Sequence, residues 1–287
     1  MLSRMIKDFM YYLFKVRGLS LTDEIRIKLA IARCIIQFLI GMRRTYLGFY
    51  IPGKKILRIR THDGYTFIVR PKTTDISLAI LYTHEPYELK EWFLTYAKGI
   101  VIDVGANIGG YTVRACRQAD LVVAIEPQLQ AFEILRENVE QNCRKNNVVL
   151  VRKGISDKKR KTILKLPKRK DIIFSGEAYI DKKVKNLNKE IVFIDEEIEL
   201  EPLDDIVKSL GIEKVDFLKI DIEGYEGTAF KGILNTLRNT KYLMIEVKPE
   251  NVWIIEELSK TGFKLLDKNE HNYFFINTVF SKSFNIE

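Results

Sequence analysis

Six carboxylates, Asp103, Glu126, Asp157, Asp221, Glu223 and Glu246, each stand at or just beyond the end of a short apolar run. A glycine turn with Gly105 and Gly109 follows the first of them. The stretch "VIDVGANIGGYT" narrowly misses two phosphate-binding patterns: Tyr111 stands where a P-loop carries lysine, and Asn107 where a dinucleotide fingerprint carries glycine. With no lysine or arginine in the turn, a pyrophosphate would rest on backbone amides alone. Acidic strand ends better suit a ligand that brings hydroxyls, an amine or a positive charge. S-adenosylmethionine brings all three.

Each position then has a task. Gly105 and Gly109 let the backbone approach the ligand, and Asp103 accepts from its ammonium. Glu126, 21 residues after Gly105, can take both ribose hydroxyls on its two oxygens. Ser156 and Asp157 follow the third run and can take the adenine amine, although the pair also suits an ordinary turn. A carboxylate at a strand end can also act as a general base on a reacting group. Asp221 is the first candidate for that base and Glu223 the second, with Glu246 and His271 behind them. Glu223, just before Gly224, can alternatively cap the next helix. The residue pattern predicts no dedicated metal site; Asp221 with Glu246 is the pair able to hold a divalent cation.

In an open α/β sheet the carboxyl ends of the strands gather the ligand-binding groups, so these residues imply such a sheet. Runs at 100–104, 121–126, 148–152, 216–221, 242–247, 263–267 and 273–278 alternate mostly with helical stretches and predict seven strands, doubly wound. Only "KNEHN" separates the last two, too little for a parallel crossover, so they should pair antiparallel. "ILRIR" and "YTFIV", joined by "THDG", predict a hairpin at 56–69. Between Ser156 and Leu203 no clean helix is readable, only short β-like pieces such as "TILKL" and "EIVFI" in a long charged loop.

The chain of 287 residues carries a net charge of +9. Arg152–Lys170 holds ten lysines or arginines against Asp157 alone, a solvated loop or a contact for an anionic sugar, lipid or nucleic acid. Cys34, Cys116 and Cys143 are odd in number and widely spaced, which signals neither a disulfide framework nor a metal motif and suits a reducing, cytoplasmic setting. Cys116 and Cys143 read as packing residues on helices. Met1–Leu19 and a second stretch from Ser20 to near Gly41 predict two amphipathic helices, with Ser20 and Asp23 as a capping box. Charges interrupt both, so neither is a signal peptide or a membrane span. They pack on the main domain or rest peripherally on a membrane surface.

"VIDVGANIGGYT", "AIEP", "GISD", "PLDDI" and above all "VDFLKIDIEGYEGTAFKGI" resemble, in order and spacing, the FkbM-type S-adenosylmethionine-dependent methyltransferases, with "THEPYE" as lead-in. The resemblance spans about residues 55–280. It implies a class I, Rossmann-like methyltransferase fold and O-methylation of sugar or polyketide-type hydroxyls. It places cofactor contacts at Asp103, Gly105, Asn107, Glu126 and Asp157 and the catalytic face at Asp221 and Glu223. Gly110 departs from the family, where many members have an aromatic residue. The expected organisation is an N-terminal helical extension (1–54), a hairpin and lead-in (55–98) and the methyltransferase domain (99–287), with 157–202 as a basic acceptor-side insert. The expected partner is a small-molecule or glycan acceptor. RNA ribose methylation on the same fold and a nicotinamide-nucleotide-binding protein are the competing readings.

Overall fold

A computed structural model describes residues 11–39, 51–81, 85–143, 146–180 and 191–280. Seven strands form the main sheet: β3 (Gly99–Val104), β4 (Ala119–Ile125), β5 (Val148–Val151), β8 (Val215–Ile220), β9 (Thr240–Glu246), β10 (Phe263–Asn269) and β11 (Asn272–Asn277). Their order is β10-β11-β9-β8-β3-β4-β5. The five strands from β9 to β5 are parallel, and β11 enters antiparallel between β9 and β10. The fold is therefore the doubly wound α/β sheet with an antiparallel final strand that the apolar runs predict.

Both faces of the sheet are covered, which is why its parallel strands read as near-continuous apolar runs. On one face Ile102, Val104, Leu218, Ile220 and Ile245 pack against α3 (Leu203–Ser209) and α4 (Trp253–Lys260) through Leu203, Ile206, Ile254 and Leu258. On the other, Val101, Val122, Phe217 and Phe274 meet Trp92 and Phe93 of the lead-in segment.

The hairpin forms as expected from β1 (Leu57–Arg60) and β2 (Thr66–Val69), turning at Gly64 with φ of 83°. The outer edge of β2 meets no strand but helix α2 (Leu129–Asn142). Asn142 and Asn138 accept from the amides of Thr66 and Ile68 and donate to the carbonyls of the same two residues. Helix α1 (Leu21–Leu39) packs Ile27, Ala30, Ile31 and Cys34 against Ile59 and Phe67 of this hairpin. Ser20 Oγ accepts from the Asp23 amide at its N-terminus. Of the preceding helix predicted over Met1–Leu19, residues 11–15 are helical, but Arg17–Gly18 is instead a short strand paired antiparallel with Ile59 and Arg60 of the hairpin; residues 1–10, and the end of the second helix near Gly41, lie outside the described residues. No described helix is long and apolar enough to cross a membrane.

Two expectations are corrected. The interval after Ser156 is no long loop: β6 (Arg160–Arg169) and β7 (Ile191–Glu201) pair antiparallel along ten residues as the arm of a second, smaller sheet. Its cross-strand ion pairs, Lys161–Glu197 and Lys165–Asp195, join residues 30 or more apart, so a local reading of the basic stretch misses the acidic strand opposite. Cys116 and Cys143 are not separate packing residues either. They form a disulfide that ties the end of the helix after the glycine turn to the end of α2, closing 27 residues. Reduction, or Cys143→Ser, is expected to cost about 2–4 kcal/mol of stability by chemical denaturation.

Candidate active site

The glycine turn after β3 is built from left-handed backbone at Gly105 (φ 80°), Asn107 (φ 49°) and Gly109 (φ 90°). A Cβ on Gly105 would lie 1.8 Å from the Asp221 carbonyl oxygen, so the turn and the loop after β8 touch backbone to backbone. Gly110 has a steric reason too: a Cβ there would stand 2.3 Å from the Leu78 carbonyl, which leaves no space for the aromatic residue common at this position. The turn is thus tightly packed.

A cavity of about 1140 Å³ opens at the carboxyl ends of the strands and brings Gly105, Asn107, Glu126, Asp221, Glu223, Glu246 and His271 to one wall system. Four predicted contacts do not line it. Asp103 is fully buried behind the turn, accepting from Thr112 Oγ1 at 2.7 Å and facing the Lys219 ammonium at 3.5 Å. Gly109 faces the Leu135 side chain. Ser156 is buried and donates to Asp157, whose Oδ1 also meets Arg160, so this pair makes the ordinary turn that was the alternative to adenine recognition. The cavity wall at this point is Gly154 and Ile155.

Glu126 is 6% exposed, and its two oxygens accept from the Asn107 and Gln128 amides at 2.9 Å each. The carboxylate therefore fixes the turn as well as facing the cavity. Burial pushes its pKa up to about 7, against the pull of those amides and of Arg70. Asn107 donates to the Ser175 carbonyl at 3.0 Å, which fastens the arm's turn over the glycine turn, while its own Oδ1 is buried and has no donor among the described residues.

The loop after β8 presents the acids. Glu223 is left-handed (φ 56°) and Gly224 follows suit (φ 90°), an unusual conformation for a glutamate. Glu223 does not cap the helix that follows, whose N-terminus has no side-chain cap; Glu226 instead ties the loop, its Oε1 accepting from the Ile222 and Gly224 amides. Lys248 bridges Glu223 (3.4 Å) and Glu246 (2.6 Å). Oxygens of Asp221, Glu223 and Glu246 can come within 4.8 Å of one another, and Lys248 already supplies positive charge to two of the three. Burial, then the Asp221 charge, raises the pKa of both Glu223 and Glu246, with Lys248 opposing.

Two lysines escape the motif search. Lys219, inside the apolar run "DFLKID", is 3% exposed and stands between Asp103 Oδ1 (3.5 Å) and Asp221 Oδ2 (3.4 Å), above the Tyr111 ring. Burial works to lower its pKa, but the Asp221 and Asp103 carboxylates outweigh it and hold the ammonium above its ordinary value. A lysine at a buried sheet position was the readable signal, since such a residue is almost never fully buried unless paired. Lys248, beyond β9, carried no comparable mark. From the lead-in, Glu85 accepts from Tyr111 Oη, and Glu88 accepts from Asn269 and Asn272. Thr83 and His84 of that segment lie outside the described residues.

The chain is 25% identical over 181 residues to the hexuronic acid methyltransferase AglP of Haloferax volcanii, covering 62% of this chain and 69% of that protein. Among solved structures it is similar to Trm5b of Pyrococcus abyssi (13% identity, TM-score 0.39, 79% of this chain) and to TYW2 of M. jannaschii with AdoMet (17%, 0.38, 78% of this chain and 85% of that one). It spans 56% of the length of Trm5b. These structural likenesses are slight, and the strand order itself carries the fold. Residues 103–272 match the family described as Methyltransferase FkbM domain, a segment that begins at the buried Asp103 and ends beside the cavity at Asn272, and the chain belongs to that family of methyltransferases.

Proposed function

We propose that this protein transfers a methyl group from S-adenosylmethionine to a hydroxyl of a sugar-type acceptor. The supporting observation is one cavity that joins the Gly105–Asn107 turn and Glu126 to the loop carrying Asp221 and Glu223. The residues fit the cofactor: Gly105 leaves the turn bare of side chain, Asn107 Oδ1 is a buried acceptor without a donor, and Glu126 offers a carboxylate at the end of β4. When bound, S-adenosylmethionine supplies an electrophilic methyl group on a good leaving group.

The chain's own part is alignment and proton handling. Asp221 accepts the hydroxyl proton as the oxygen is alkylated, and Lys219 orients the Asp221 carboxylate. Lys219 is a positioning residue in this scheme. The walls of the cavity limit competing water: Ile125, Ile155 and Tyr111 from the sheet side and Leu164, Ile180 and Phe193 from the arm line it. The acceptor class draws on the name of the Haloferax volcanii relative, a sugar-acid methyltransferase.

Calorimetry with S-adenosylhomocysteine tests the cofactor half. Glu126→Ala is expected to weaken binding at least tenfold, by loss of charge-assisted hydrogen bonds. The pH dependence has a definite sign. The group titrates near 7, its ionised form is the better acceptor for hydroxyls, and affinity should rise by about tenfold from pH 6 to pH 8. Glu126→Gln should flatten that rise, and a pH-independent affinity in the unaltered protein would remove Glu126 from the ribose site.

A further inference from the structure

Beside the glycine turn, the cavity is lined by Asp221, Glu223, Glu246 and Glu270 and by Glu85 and Glu88 from the lead-in, which form an acidic wall. The described cations on this wall are already engaged. Lys219 is held between Asp103 and Asp221, and Lys248 between Glu223 and Glu246. No described arginine lines the cavity. One oxygen of Glu246, Oε2, is buried and has no donor among the described residues. A hydroxyl or an ammonium can satisfy such an oxygen; a carboxylate or a phosphate cannot, because it brings only acceptors. The left-handed backbone at Glu223 is a costly conformation for a glutamate, and it holds a second carboxylate on the same wall.

We infer that Glu223 and Glu246 determine acceptor specificity: the cavity admits an acceptor that is neutral or amine-bearing around its reacting hydroxyl and rejects one that is anionic there. This rests on the proposed methyl transfer to a sugar-type hydroxyl and sharpens it. It also separates this chain from a nucleic-acid methyltransferase, whose acceptor is flanked by phosphates, and from the hexuronic acid named for the Haloferax volcanii relative. Burial, then the Asp221 charge, raises the pKa of Glu223 and Glu246, so this wall gains its full negative charge only above neutral pH, and the discrimination against an anionic acceptor should sharpen as the pH rises through about 8.

The test uses the full chain saturated with S-adenosylhomocysteine and three matched ligands: a methyl hexoside, the methyl 2-amino-2-deoxyhexoside and the methyl hexuronoside. Affinities from ligand-observed NMR titration are expected to place the neutral and amino glycosides at least tenfold tighter than the hexuronoside. Glu246→Gln should narrow that gap to within about threefold by relieving the anion. A hexuronoside that binds as tightly as the hexoside overturns the inference, and so does discrimination left unchanged in both Glu246→Gln and Glu223→Gln. No glycoside binding to the loaded protein overturns it as well. Failure of S-adenosylhomocysteine itself to bind is a separate result, and it refutes the proposed methyl transfer.

Discussion

Asp221→Asn is expected to reduce kcat by about 10²–10⁴-fold while leaving S-adenosylhomocysteine affinity within a few fold. The substitution keeps shape and removes the proton acceptor. Asp221 sits just past β8, its Oδ2 is 3.4 Å from Lys219 Nζ, and its side chain faces the cavity at 31% exposure. Single-turnover methyl transfer separates this loss from any effect on cofactor binding. A variant that retains near full turnover moves the base to Glu223 or Glu246, the acids of that wall within 4.8 Å of Asp221. Lys219→Met should resemble it in direction and add a loss of stability, because Asp103 and Asp221 would both lose the ammonium between them.

Gly105→Ala carries the second large effect. The left-handed φ of 80° alone makes alanine unfavourable by more than about 1 kcal/mol, and the added methyl would overlap the Asp221 carbonyl oxygen at 1.8 Å. The turn and the acid-bearing loop must separate to admit it. S-adenosylhomocysteine binding should fall at least tenfold and turnover should fall with it, read by calorimetry and by methyl transfer at saturating cofactor. Unchanged binding would mean that the cofactor does not approach the turn closely.

The parts of this architecture that are legible in the sequence are those whose physics is local. A parallel strand covered on both faces is an unbroken apolar run, so the five parallel strands of the main sheet can be located from their residues, and the short "KNEHN" link marks the antiparallel pair beside them. A glycine before Ala106 and an acid after "VVAI" mark strand ends without any partner being known. What escaped depends on pairings distant in sequence. Cys116 meets Cys143, Lys161 meets Glu197, and Lys248 gains meaning only beside Glu223. Asp157 is a different case, in which neighbours in the chain supply the contacts. Its place after β5 suited adenine recognition, yet Ser156 and Arg160, near it in the chain, occupy it.

The two asparagines of α2 along the hairpin have a consequence for solution behaviour. An edge strand with unpaired amides and carbonyls is a template on which another chain can add a strand. At Thr66 and Ile68 those groups are taken up by Asn142 and Asn138, four residues apart on one helical face. The helix thereby shields an aggregation-prone border with amide side chains, and replacing both asparagines would make this hairpin a recruiting surface for a second copy of itself.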